Sequence, residues 1–168
     1  MSVALDAAKK SIVLLKNNNQ LLPLEKEGEK IAIIGPLAND KNSPLGNWRS
    51  QAVYNSAISV VEGMDKYNGN KTIFEKGVDL YYGKTNFHNR VKINYDDRSD
   101  FSKAKFAAAN SDVVIMVLGE EGNQSGEGRS RTNIGLPGLQ LELLKEISKV
   151  NNNIVLVVMS GRPLDLTW

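Results

Sequence analysis

Asp112-Val-Val-Ile-Met-Val-Leu118, stopped by Gly119, is the stretch that decides the fold. An unbroken apolar run of this kind lacks the alternation of a strand with one wet face. It belongs to a strand buried on both sides, as in a parallel sheet covered by helices. Two more runs read the same way: Lys30–Gly35 (KIAIIG), closed by Gly35-Pro36, and Asn153–Ser160 (NIVLVVMS), closed by Gly161-Arg162-Pro163. Helical spacing lies between them. Asp100 stands as a cap before a helix through Phe101 to Asn110, and Leu139, Leu143, Leu144 and Ile147 share one face of a helix from Pro137 to about Val150. Helices alternating with buried strands predict an α/β fold, an open and mostly parallel sheet with helices on both faces, forming a three-layer α/β/α sandwich.

Working outward, Asp6–Asn17 reads as a helix with Ala7, Ala8, Ser11, Ile12 and Leu15 on one face. Leu21-Leu22-Pro23-Leu24 follows as an extended apolar clip. Leu37–Asn55 has the Gly, Pro, Asn and Ser content of a loop. Ser56–Tyr67 resumes helical spacing through Ala57, Val60, Val61 and Met64, and Lys71–Lys76 reads as a second strand. Tyr81–Asp100 is polar, shows no period and is expected to be loop or insertion.

The 168 residues suit one core, with 41% hydrophobic and 24% charged residues. The apolar runs are far shorter than the ~20 residues that cross a bilayer, and the opening Met1-Ser2-Val3 lacks the basic-then-apolar pattern of an export signal. No membrane partner is expected. Lys and Arg total 21 against 19 Asp and Glu, spread along the chain without a basic cluster, which argues against a nucleic-acid partner. The chain has no Cys and one His, so thiolate zinc sites, Cys nucleophiles and any Ser-His-Asp triad not built on His88 are excluded. His88 sits without a carboxylate or second His at ligand spacing and reads as a surface residue. Neither a cofactor nor a metal is expected.

Ligands of open parallel sheets sit beyond the carboxyl ends of the strands, here the segments that start at Gly35, Gly77, Gly119 and Gly161. The loop Glu120–Ile134 holds three carboxylates (Glu120, Glu121, Glu127) and two guanidiniums (Arg129, Arg131) among glycines. It can present an acid to a substrate, or be a solvated turn in which an Arg pairs with a Glu. Trp48, in the polar Gly46-Asn47-Trp48 loop, can stack on a sugar face or lie as a lid over the core. No G-x-G-x-x-G or G-x-x-x-x-G-K-[ST] pattern supports a nucleotide site. A non-catalytic carbohydrate- or nucleotide-binding α/β module remains the alternative function.

Six stretches in this order resemble the second domain of glycoside hydrolase family 3, the β-glucosidase family. They are Ala8–Leu24 (AKKSIVLLKNNNQLLPL), Lys30–Pro36 (KIAIIGP), Gly46-Asn47-Trp48, Asp112–Glu120 (DVVIMVLGE), Gly126–Gln140 (GEGRSRTNIGLPGLQ) and Ile154–Trp168 (IVLVVMSGRPLDLTW). The resemblance spans nearly the whole of residues 1–168, with only Tyr81–Asp100 lacking a recognisable counterpart. It implies a retaining, exo-acting β-glycosidase that removes terminal non-reducing β-linked sugars, in which a barrel domain supplies the nucleophilic Asp. On this reading the chain is a fragment that lacks the barrel and the end of its own domain, and is inactive alone. The barrel domain of the same parent and an oligo- or aryl-β-glycoside substrate are its implied partners. Glu127 is the positional match to the general acid/base, with Glu120 and Glu121 as alternatives. Trp48 is the match to a Trp flanking the sugar, and Arg129 and Arg131 are candidate substrate-binding residues. A periplasmic or secreted location is implied by the resemblance alone.

Overall fold

A computed structural model describes residues 2–67 and 69–167. Met1 of the opening stretch and Trp168 of the last matching stretch lie outside them. Four strands, β1 (Glu27–Ile34), β2 (Gly69–Glu75), β3 (Val113–Gly119) and β4 (Ile154–Met159), form one parallel sheet in the order β2-β1-β3-β4. Ile31 sits opposite Val113 and Ile34 opposite Met116, while Val114 pairs with Ile154 and Gly119 with Met159. The helices are α1 (Ser2–Ser11), α2 (Val60–Tyr67), α3 (Phe101–Ala109) and α4 (Gln140–Ser148).

Period-two side-chain direction divides the central strands between two cores. Ala32 and Ile34 of β1 and Val114, Met116 and Leu118 of β3 face α3 and α4, whose Ala104, Ala108, Leu143, Leu144 and Ile147 close over them. Ile31, Ile33, Val113, Ile115 and Val117 face the other way, against Leu37, Leu80 and the α2 residues Val60, Val61 and Met64. Helices therefore cover both faces. Every residue of β3 is buried, and each large apolar side chain taken from water there contributes about 1.5–3 kcal/mol.

Four local expectations change. β4 lies at the sheet edge, and its residues are half-buried rather than buried on both sides. The first helix ends at Ser11 rather than Asn17, and Ile12 to Leu15 follow it 64–79% exposed. Its Ala7, Ala8 and Ser11 stripe is exposed too, and a short helix without packing gains little from propensity alone. The second helix starts at Val60 because Ser59 and Glu62 cap it reciprocally: Ser59 N donates to Glu62 Oε2 at 3.0 Å and Glu62 N to Ser59 Oγ at 3.1 Å. Asp100 stands at the N-cap of α3, but its carboxylate accepts from Lys103 Nζ at 2.7 Å and makes no cap bond.

The segment 81–100 is an ordered arm. Tyr81 bridges to Ile93 antiparallel, Tyr82 N donates to Lys92 O at 2.8 Å, and Asn94 N donates to Leu80 O at 3.0 Å. Fully buried Asn94 holds its base, donating from Nδ2 to the carbonyls of Asp79 and Asp97 and accepting at Oδ1 from the Asp97 N–H.

Candidate functional site

The site begins where β3 ends. Gly119 has φ +137°, and a Cβ there would lie 1.9 Å from Met159 O, so only glycine lets β3 turn beside β4. The side chain of buried Gln140 clamps this turn. Its Oε1 accepts from Gly119 N at 2.9 Å, and its Nε2 donates to the carbonyls of Gly119 at 2.8 Å and Pro137 at 2.9 Å. The helix after the loop thus fixes the residue that starts the loop.

Glu120 follows, its side chain 1% exposed. Arg131 pairs with its Oε1. Arg162 Nε donates to Oε2 at 3.0 Å, and Ser160 Oγ donates to the same oxygen at 3.1 Å. Arg162 also donates from Nη2 to the carbonyls of Gln124 at 2.6 Å and Arg129 at 2.7 Å. A planar guanidinium with five N–H groups is suited to hold a carboxylate and two carbonyls at once. The Glu–Arg pairing expected of this loop exists, but inside the protein rather than in a solvated turn.

Glu121 is buried behind the arm. Its Oε2 accepts from Asn123 Nδ2 at 3.2 Å and Thr85 Oγ1 at 3.3 Å, while Oε1 has no partner among the described residues. Burial pushes its carboxyl above the ordinary value, partly offset by the bonds from Asn123 and Thr85.

The loop after β1 meets the same place. Asp40 Oδ1 accepts from the N–H groups of Asn42 at 2.7 Å and Ser43 at 3.1 Å, starting the 3-10 turn Ser43–Leu45. Ser43 Oγ then accepts from Gly122 N at 3.1 Å. Gly126, with φ +109°, passes so close to Asn47 that a Cβ would lie 1.9 Å from its Nδ2. Next to Asn47, Trp48 is 69% exposed, its ring centroid 6.0 Å from that of Phe87 on the arm. Arg129 donates to the Phe87 carbonyl.

Three loops, from β1, β3 and the arm after β2, therefore converge beyond the carboxyl ends of the strands. Trp48, Arg129 and the turn bearing Glu127 stand together there. Glu127 is exposed in the turn that Arg129 N closes onto Gly126 O at 3.2 Å. Glu120 and Arg131 lie beneath as an ion pair, and Glu121 lies under Thr85. His88 is exposed, edge-on to Phe87 at 5.7 Å. Arg162, Gln140, Thr85 and Phe87 were not singled out as site residues by sequence reasoning. Gln140 and Arg162 fall in the matching stretches Gly126–Gln140 and Ile154–Trp168, but nothing in the spacing of the arm residues signals their place. No group of three metal-ligating side chains occurs among the described residues, and no described helix is long and apolar enough to cross a membrane.

Residues 12–168 match the glycosyl hydrolase family 3 C-terminal domain. The chain belongs to this family. It is 36% identical over 97% of its length to a periplasmic beta-glucosidase of Salmonella typhimurium and 33% identical over 98% to a beta-xylosidase of Formosa agariphila. It spans only 22% of either relative. The crystal structure of a beta-glucosidase from Listeria innocua in complex with isofagomine superposes with a TM-score of 0.81 at 30% identity, covering 96% of this chain and 20% of that one. The expected parallel α/β architecture is thus that of a family 3 C-terminal domain. In this one, the Glu127 turn is tied down by Arg162 and fitted against Asn47.

Proposed function

We propose that this chain acts as the second domain of a larger, retaining, exo-acting β-glycosidase, with Glu127 as general acid/base and Trp48 flanking the sugar. The nucleophile would come from a barrel domain outside residues 1–168. A retaining mechanism uses two carboxyl groups about 5–5.5 Å apart, one attacking the anomeric carbon while the other protonates the leaving oxygen and later activates water. The observation that carries the reading is the division of labour among the three loop carboxylates. Glu120 has both oxygens engaged by guanidiniums, Glu121 is enclosed, and only Glu127 reaches the surface, on a turn anchored at both flanks. A proton donor must come within hydrogen-bond reach of its substrate, which favours Glu127 over the other two.

Trp48 beside that turn supplies an apolar face of the kind that packs on sugar rings. Arg129 and Arg131 are read as shaping the same rim. The relatives' names support a terminal glucosyl or xylosyl substrate, and the naming of the Salmonella protein supports a periplasmic or secreted location.

The test uses the full-length hydrolase. Glu127→Ala should depress hydrolysis of a natural disaccharide far more than that of an activated aryl glycoside, whose leaving group needs little protonation. Azide should restore part of the second step. Equal loss on both substrates without rescue assigns Glu127 a structural role and moves the test to Glu121 and Glu120. The 168-residue chain alone should not turn over aryl β-glycosides, since it would form no glycosyl-enzyme intermediate.

A further inference from the structure

A cleft of about 210 Å³ opens beside the Glu127 turn, between that loop and the arm. Its volume suits one charged substituent or part of one sugar unit rather than an oligosaccharide. Three arginines line it, Arg90 from the arm and Arg129 and Arg131 from the loop, with Tyr95, Asn123 and Ser130 adding polar groups. No Asp or Glu is in the lining.

Arg131 pairs with Glu120 below, a carboxylate it shares with Arg162. Arg129 spends one N–H on the Phe87 carbonyl and has no carboxylate partner among the described residues, and Arg90 has none either. The whole chain carries a net charge of only +2, so two unneutralised guanidiniums on one cleft are a local arrangement rather than a reflection of general basicity. Both border the same cleft, and guanidinium forks match a carboxylate or sulfate in planar, bidentate fashion.

We propose that this cleft binds an anionic group, a carboxylate or sulfate, carried by the leaving-group portion of the substrate. The assignment rests on Glu127 as the acid. The acid protonates the glycosidic oxygen, so the departing portion lies against the turn that bears it, and Arg129 is two residues from Glu127. Arg90 and Arg129 are then specificity-determining residues for acidic aglycones.

The test compares two substrates of the full-length enzyme that differ only at the far end. These are the aldonate and the alditol made by oxidising or reducing the disaccharide it hydrolyses, which for a glucosyl enzyme are cellobionate and cellobiitol. The scissile oxygen is nearly the same in both, and one carries a carboxylate where the other has a hydroxymethyl group. The kcat/KM ratio should favour the aldonate by about tenfold at low salt, the scale of one partly exposed charge-assisted bond. It should fall toward one in Arg90→Gln and in Arg129→Gln, and as salt screens the cleft. A glycoside with a sulfated leaving group, set against its unsulfated parent, tells the two anions apart. A wild-type ratio at or below one with both anions overturns the inference, as does a preference that both variants retain. Inhibition by gluconate over glucitol reads the same cleft without using Glu127. Its persistence when Glu127→Ala shows no leaving-group dependence would sink the acid/base reading and leave the anion cleft standing.

Discussion

Arg162 Nε lies 3.0 Å from Glu120 Oε2, joining the loop after β4 to the loop after β3 through a carboxylate that solvent barely reaches. The same guanidinium grips the carbonyls of Gln124 and Arg129 on either side of Glu127. An exposed turn is thereby given a fixed base.

Arg162→Ala should destabilise the chain by about 3 kcal/mol, near the low end for breaking a buried pair because Arg162 is itself one-fifth exposed. Arg162→Lys should recover only part, because an ammonium cannot reach a carboxylate and two carbonyls in one plane. Urea melts of the three proteins measure this, and equal stability for Arg162→Ala and wild type would show that the cluster contributes nothing net.

Glu121 predicts a pH dependence of opposite sign to that of an ordinary salt-bridged carboxylate. Its folded-state pKa is raised by burial, so the native state binds more protons than the unfolded chain between the ordinary and the raised value. Its contribution is fully present below the ordinary pKa and is lost as pH rises through the raised one. Glu121→Gln should therefore be at least as stable as wild type at pH 7, and the advantage should shrink on acidification toward pH 4. Melting temperatures of both proteins across that range decide it.

Gln140→Leu keeps the volume but leaves Gly119 N–H and two carbonyls unpaired in the interior. A loss of about 2–4 kcal/mol is expected, visible as a lower denaturation midpoint with an unchanged slope. A near-neutral result would mean that other groups satisfy the Gly119 turn.

Gly126→Ala separates positioning from stability. The new methyl collides with Asn47 at a solvent-facing turn, so the turn shifts while the cores stay intact. Full-length enzyme should lose about 100-fold in kcat, the scale of an ångström's displacement of a catalytic group, while its melting temperature changes little. Unchanged kcat on a natural disaccharide would disconnect this turn from the chemistry.

The apolar runs Lys30–Gly35, Asp112–Leu118 and Asn153–Ser160 determined three of the four strands, their parallel sense and the two-faced cover of helices, because a short apolar run without alternation, closed by a turn, suits a strand of a helix-covered sheet; that β4 lies at the edge and is only half-buried was decided by the tertiary structure. They also placed the ligand end of the sheet, since glycines close the first two runs and a Gly follows the third. Tertiary structure alone decided which loop carboxylate is exposed: Glu120, Glu121 and Glu127 are chemically alike in sequence, and what separates them is Arg131, Arg162, Ser160, Asn123 and Thr85, up to 42 residues away. It alone brought the arm of residues 81–100 to the site, because that arm is held by backbone pairing and by Asn94 rather than by any hydrophobic period. α1 ends earlier than its apolar spacing predicts for a related reason. Apolar spacing states which face a helix would bury, but whether Ile12 to Leu15 are covered depends on what packs there, and in this chain they face solvent.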